Sequence, residues 1–174
     1  MFQIEIRKVR IEDVEELQTI SRQTFYETFS AENTEENMRN YLEQQLSIER
    51  LLSELNANSE FYFAIYSNRI IGYIKLNFGE SQTEIKNTNA IEIERIYVLK
   101  EFQGKAVGQV LYQKAIQIAE ELKATYIWLG VWEKNEKAIR FYKKNGFVEF
   151  DKHVFILGTD RQTDIMMKKQ LGKF

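Results

Sequence analysis

A chain of 174 residues is long enough to bury a substantial core and short for two domains, so residues 1–174 are read as one domain. Apolar residues make up 44% and charged residues 29%. No run approaches the ~20 apolar residues that cross a bilayer, and MFQIEIRKVR lacks the apolar centre and cleavage site of a leader, so a cytoplasmic location without membrane attachment is expected. A formal net charge of −2 argues against a nucleic-acid partner, which needs a basic face.

In chain order, FQIEIRKV (2–9) alternates apolar and polar residues as a half-buried strand does. Val14, Leu17, Ile20, Phe25 and Phe29 recur at helical spacing, and Asn33 or Thr34 caps a second helical region carrying Met38, Tyr41, Leu42 and Leu46. Leu51, Leu52 and Leu55 extend that region past a break. FYFAIY, Ser67-Asn68 and RIIGYIKLNF form a β-hairpin pattern. The polar run 79–89 reads as a loop with no assignable chemistry. IEIERIYV (91–98) is a strand, 108–123 an amphipathic helix, and TYIWLGV (125–131) a buried strand. NEKAIRFYKK is a short helix that Asn145-Gly146 stops. FVEF, HVFIL and DIMMKK supply the last strands. Two strand-to-helix units in the second half predict an α/β layered domain, and the hairpin before them makes its sheet mixed.

Between the strand 91–98 and its helix lies Gln103-Gly104-Lys105-Ala106-Val107-Gly108. It fits neither GxGxxG nor GxxxxGK followed by Ser or Thr. It also lacks Ser, Thr, Asp or Asn, so nothing local caps the helix-start amides near Val107 to Val110. Uncapped amides at the positive end of a helix dipole form a phosphate site. The alternative is that a glycine simply begins the helix and water meets the free amides.

Further on, WLGVWEKNEKAIRFYKKNGF holds the pattern NxxAxxFYxxxGF, about thirty residues after the QGKAVG loop. The two segments together resemble the acetyl-CoA-binding motifs of the GNAT superfamily of N-acetyltransferases. IEIERIYV followed by IWLGVWEKNEKAIRFYKKNGF resembles, within it, the bacterial spermidine/spermine acetyltransferases. The resemblance implies one GNAT-like domain of mixed α/β (α+β) class. Its central sheet would be twisted and mostly antiparallel, with six to seven strands flanked by about four helices. The co-substrate implied is acetyl-CoA. Its pyrophosphate would lie on Gln103, Gly104, Lys105, Ala106, Val107, Gly108 and Gln109, and its pantetheine arm would pair with Ile96, Tyr97 and Val98. Asn135, Ala138 and Tyr142 complete the carried-over site. The sequence departs from the family at Ala106, where glycine is usual, and at Gln103, where arginine is frequent. Right-handed helical angles are expected at Ala106, since a left-handed alanine would cost about a kcal/mol or more.

Acetyl transfer to an amine requires loss of an ammonium proton, donors for the thioester oxygen and an acid for the thiolate. The chain has no cysteine and one histidine, His153. An acetyl-cysteine intermediate and a multi-histidine metal site are therefore excluded, and direct attack in a ternary complex without metal is expected. Resemblance makes Tyr142 the acid and places backbone N–H groups near Val98 at the thioester oxygen. Strand alternation puts Glu92 and Glu94 on one face and Arg95 on the other. Glu94 matches a carboxylate that removes the amine proton in several family members, or else it only attracts the cation or pairs with a nearby base. His153 is assigned a structural role, and Trp128 and Trp132 are assigned to core and cleft wall.

The acceptor implied is a small-molecule primary amine, a polyamine such as spermidine or spermine. Glu27, Glu32, Glu35, Glu36 and Glu43 are candidates to attract it, or form a solvated acidic face. An aminoglycoside, an amino acid, a protein N-terminus, or a non-catalytic acyl-CoA-binding module are the alternatives. Homodimers are common among homologous folds, and the sequence does not choose between monomer and homodimer.

Overall fold

The computed structural model describes residues 2–172. It contains β1 (Glu5–Lys8), α1 (Val14–Phe29), α2 (Glu35–Gln45), α3 (Ile48–Leu55), β2 (Ser59–Tyr66) and β3 (Arg69–Phe78). These are followed by β4 (Ala90–Val98), α4 (Val107–Glu121), β5 (Tyr126–Trp132), α5 (Glu136–Lys144), β6 (Val148–Leu157) and β7 (Asp160–Gln170). The helix break comes from Ser47, whose hydroxyl accepts from the Arg50 N–H and so starts α3 as a separate helix. Thr34 caps α2 in the same way. FVEF and HVFIL run together as one strand with a register shift between Glu149 and Asp151.

All seven strands form one sheet in the order β1-β2-β3-β4-β5-β7-β6. Every neighbouring pair is antiparallel except β4–β5, which α4 connects as a crossover. The β2–β3 turn has positive φ at both Ser67 (48°) and Asn68 (63°), the geometry that matches strand twist in a two-residue hairpin. Ile71 to Asn77 of β3 are buried without interruption, which requires cover on both faces of the sheet. Helices α1 and α4 each pack on β3 and β4, α3 packs beside α1, and Phe141 of α5 meets Tyr112 of α4.

Two irregularities in β4 decide what this layered frame exposes. Its pairing with β5 runs only from Ala90↔Tyr126 to Ile93↔Leu129. Beyond that the strands part, and Arg95 to Val98 keep ladder partners only on β3. At the same point Lys75 and Leu76 of β3 face Arg95 and Ile93, so Glu94 is an extra, bulged residue.

Candidate active site

The parted strands open a cleft of about 1070 Å³, large enough for a cofactor-sized ligand. On one flank stands the start of α4. No side chain caps this helix, and its first backbone bond runs from the Val110 N–H to the Ala106 carbonyl. The amides of Val107, Gly108 and Gln109 therefore have no intrahelical partner, and all three residues line the cleft. Gly104 has φ of +77°, and nothing lies within 4 Å of where a Cβ would stand. That combination of open backbone, free amides and dipole suits the pyrophosphate of a CoA ester.

Ala106 corrects the sequence expectation. Its φ and ψ are +65° and +11°, left-handed rather than right-handed helical. As the N-cap residue it must turn the chain from the loop into α4, and the turn used is one that glycine makes without a Cβ penalty.

The other positions implied by resemblance fall around the same cleft, with one exception. Glu94, Ile96, Tyr97, Val98, Gln103, Gly104, Ala106, Asn135, Ala138 and Tyr142 all line it. Lys105 does not; its ammonium lies over the Phe102 ring, 5.3 Å from the centroid. Its place beside the loop is taken by Lys137, which the sequence did not single out. Lys137 donates to Gln103 Oε1 at 2.9 Å, and Gln103 Nε2 donates to the Val98 carbonyl at 3.2 Å. Gln109 exchanges two amide hydrogen bonds with Asn145, at 3.0 and 3.2 Å, so its side chain ties α4 to the end of α5. Asn135 Oδ1 caps α5 by accepting the Ala138 N–H at 3.2 Å. The Tyr142 hydroxyl makes no hydrogen bond among the described residues, and burial pushes it well above the usual phenol range, so it stays protonated.

The bulge also overturns the expected alternation around Glu94. Lys75 contacts both the Glu94 and the Glu54 carboxylates, and Arg95 grips Glu54 through two bonds of 3.0 Å. Glu94 and Arg95 thus serve one four-charge cluster instead of opposite faces. Burial opposes ionisation of Glu94, but Arg95 and Lys75 more than offset it and hold the carboxyl below the usual carboxylate range. Glu92 lies beside this cluster, near enough for the Glu94 charge to oppose its ionisation. It accepts from Asn77 Nδ2 (2.9 Å), the Thr83 N–H (2.8 Å) and the Thr83 hydroxyl (2.6 Å). Run 79–89, which carried no assigned chemistry, therefore latches Glu92, and its Gln82 also accepts the Trp128 indole N–H at 2.8 Å. Trp128 is core and Trp132 walls the cleft, as expected.

Of the five glutamates on the early helices, only Glu27 and Glu32 reach the cleft. Glu27 accepts the Lys100 N–H at 2.8 Å, and Glu32 lies 3.9 Å from Lys134. The acidic wall comes instead from Glu84 and Asp164, with His153 between them. Burial raises Asp164 to about 6, with His153 countering and Glu84 reinforcing the shift. The pairing His153↔Asp164 across β6 and β7 is what brings this group together.

Residues 14–147 match the acetyltransferase (GNAT) family. The chain belongs to the GNAT family. It is 40% identical over 169 residues to an uncharacterized N-acetyltransferase of Lactobacillus delbrueckii subsp. lactis, covering 97% of this chain and 98% of that one. It is 30% identical over 171 residues to a spermidine N(1)-acetyltransferase of Thermoplasma acidophilum, covering 95% and 97%. The crystal structure of PaiA N-acetyltransferase from Thermoplasma acidophilum in complex with coenzyme A superposes with a TM-score of 0.80, at 29% identity and 97% and 99% coverage. The family match and the coenzyme A complex of this neighbour support acetyl-CoA as the co-substrate of this GNAT N-acetyltransferase. Among the described residues, no helix is long and apolar enough to cross a membrane.

Proposed function

We propose that this GNAT enzyme moves the acetyl group of acetyl-CoA to a primary amine of a polyamine, by direct attack in a ternary complex. The observation that carries this reading is the polarity of the cleft. Lys137 and Lys144 of α5, the helix packed beside α4, line it, and so do Glu84 and Asp164 on either side of His153. An anionic co-substrate and a cationic acceptor are each met by the opposite charge. The 30% identical spermidine N(1)-acetyltransferase supports the same substrate class.

In this reading the α4 amides and Lys137 hold the phosphates, and Ile96 to Val98 offer the pantetheine arm a strand edge freed by the departure of β5. Backbone N–H groups near Val98 meet the thioester oxygen as it gains charge. Tyr142, protonated and without a protein partner, gives its proton to the departing thiolate and regains one from solvent. Glu94 acts electrostatically: tied to Lys75 and held ionised, it is a weak base and a steady source of negative potential.

The test is thiol release from acetyl-CoA across spermidine, spermine, an aminoglycoside, free amino acids and an N-terminal peptide. Polyamines should give kcat/KM values at least about tenfold above the others, a difference worth ~1.4 kcal/mol. A clear preference for another acceptor would replace the polyamine reading, and no release with any of them would remove the amine class altogether.

A further inference from the structure

The acidic wall contains the chain's single histidine, and nothing in the acetyl-transfer scheme above uses it. His153 lies on β6 with its Cε1 3.3 Å from where a Gly130 Cβ would stand. Gly130 is the first β5 residue after pairing with β4 ends, so the imidazole covers the root of the V. Its Nδ1 faces Glu84 Oε1 at 3.7 Å, and its Nε2 faces Asp164 Oδ2 at 3.7 Å. Nδ1 is buried and has no hydrogen-bond partner, which makes it the closed side of the ring. β5 contributes no charged side chain beside the ring, since Gly130 has none, and Lys152, the preceding residue on β6, points to the opposite face of the sheet. Among the described residues, the charged groups that face the imidazole are therefore Glu84 and Asp164. Among the described residues, no group of three such side chains is arranged to hold a metal ion.

We propose that His153 is the proton acceptor for the amine, with Glu84 orienting the ring and Asp164 holding the ammonium against Nε2. The inference rests on the amine-acetyltransferase reading above. A separation of 3.7 Å lets one ammonium nitrogen, or one water, lie about 2.9 Å from both Nε2 and Asp164 Oδ2, a normal hydrogen-bond length. Glu84 and Asp164 face the two ring nitrogens at the same 3.7 Å, and the role requires the tautomer with its proton on Nδ1, which leaves the Nε2 lone pair free. Glu94 is poorly suited to the same task, because its carboxylate is ion-paired with Lys75 and its basicity is depressed.

The protons balance as follows. The acceptor ammonium gives one proton to His153 Nε2 and becomes a free amine. Its lone pair forms the C–N bond, the carbonyl re-forms, and the C–S bond breaks with its electron pair going to sulfur. The nitrogen then passes its second proton to solvent. The thiolate takes one proton from Tyr142, which is restored from solvent, and His153 passes its own to solvent. One proton is released per acetyl group moved.

The experiment uses the full chain without a histidine tag and spermidine as acceptor. His153→Gln should lower kcat about 100-fold at pH 7, within the usual range for a lost general base. The gap to wild type should narrow toward pH 9.5, where a growing share of the ammonium loses its proton unaided, and acetyl-CoA affinity should stay within threefold. In His153→Ala, added imidazole should restore part of the rate. Because there is one histidine, diethyl pyrocarbonate treatment of the wild type should abolish kcat, with hydroxylamine restoring it and acetyl-CoA binding unaffected. That arm decides the matter if neither variant folds. A His153→Gln rate within threefold of wild type, a deficit equal at all pH, or modified wild type with full kcat each overturns the proposal. In those cases spermidine-dependent thiol release by the wild type keeps the polyamine reading intact. Absence of wild-type release with any amine overturns both.

Discussion

Ala106→Gly tests whether the loop before α4 stores backbone strain. Ala106 has φ of +65°, where a Cβ crowds the following carbonyl and costs roughly 1–2 kcal/mol. Glycine removes that cost, while its greater freedom in the unfolded chain takes back roughly 0.4–1 kcal/mol. Ala106 is exposed, so the lost methyl forfeits little packing. The net expectation is a gain of about 0.5–1 kcal/mol. For a domain of this size that is a rise in Tm of about 1–4 °C. The α4 amides and the Val110 N–H to Ala106 carbonyl bond do not depend on the methyl, so acetyl-CoA affinity should stay within about threefold, below ~0.7 kcal/mol. Differential scanning calorimetry and isothermal titration read the two quantities separately. An unchanged or lowered Tm would refute the strain argument. Acetyl-CoA affinity recovered only in Ala106→Gly would show instead that the alanine obstructs the phosphate site.

Lys75→Met should be costly, because Lys75 is 5% exposed at its side chain and balances two carboxylates that Arg95 alone cannot. About 3 kcal/mol is expected from chemical denaturation, the scale for breaking a buried pair. Glu94 has a lowered pKa in the fold, so its contribution is present above the unfolded carboxyl value and is lost as pH falls through the folded one. Without Lys75 that depression weakens, and acid unfolding should begin at higher pH; an unmoved acid midpoint would count against the pairing. Asp164→Asn should act in the other direction. With its carboxyl raised to about 6, Asp164 costs stability above that pH and nothing below its unfolded value. The variant should gain about 2 kcal/mol at pH 8 and little at pH 4, and a gain equal at both would refute the burial penalty. Gly72→Ala would place a Cβ 2.8 Å from the Tyr97 carbonyl and 3.3 Å from Val98 Cα. A loss of about 1–3 kcal/mol is expected, with a raised KM for acetyl-CoA because β4 must move; an unchanged KM would show that the strand edge does not bind the pantetheine arm.

The residues that the sequence placed well are those whose signals are local. The Ser67-Asn68 turn, the Thr34 cap and the missing cap before α4 each depend on a few neighbouring residues, and the structure has all three. Ala106 was misjudged for a related reason: local preference argues against a left-handed alanine, and the loop-to-helix turn overrides it. Lys105 and Lys137 exchanged places because the spacing of a cation along a loop does not say where its side chain rests. Lys105 settled on Phe102, while the first turn of α5 delivered Lys137 to Gln103.

What the sequence hid most completely was register. Alternation along IEIERIYV separates Glu94 from Arg95 only if every residue pairs, and one unpaired residue in β4 brings both to the Lys75–Glu54 pair. No residue type marks that bulge. His153 was equally hidden, since its neighbours Glu84 and Asp164 stand 69 positions before it and 11 after it in the chain. Only the β6–β7 pairing and the folded 79–89 loop bring them to one imidazole. The two effects act together on the chemistry. The bulge draws the carboxylate that family resemblance points to into an ion cluster that suppresses its basicity. The parting of β4 from β5 leaves Gly130 without a β4 partner, beneath the imidazole of His153. The bulge and the parting that opens the cleft therefore together argue for moving the proton-accepting role from Glu94 to His153.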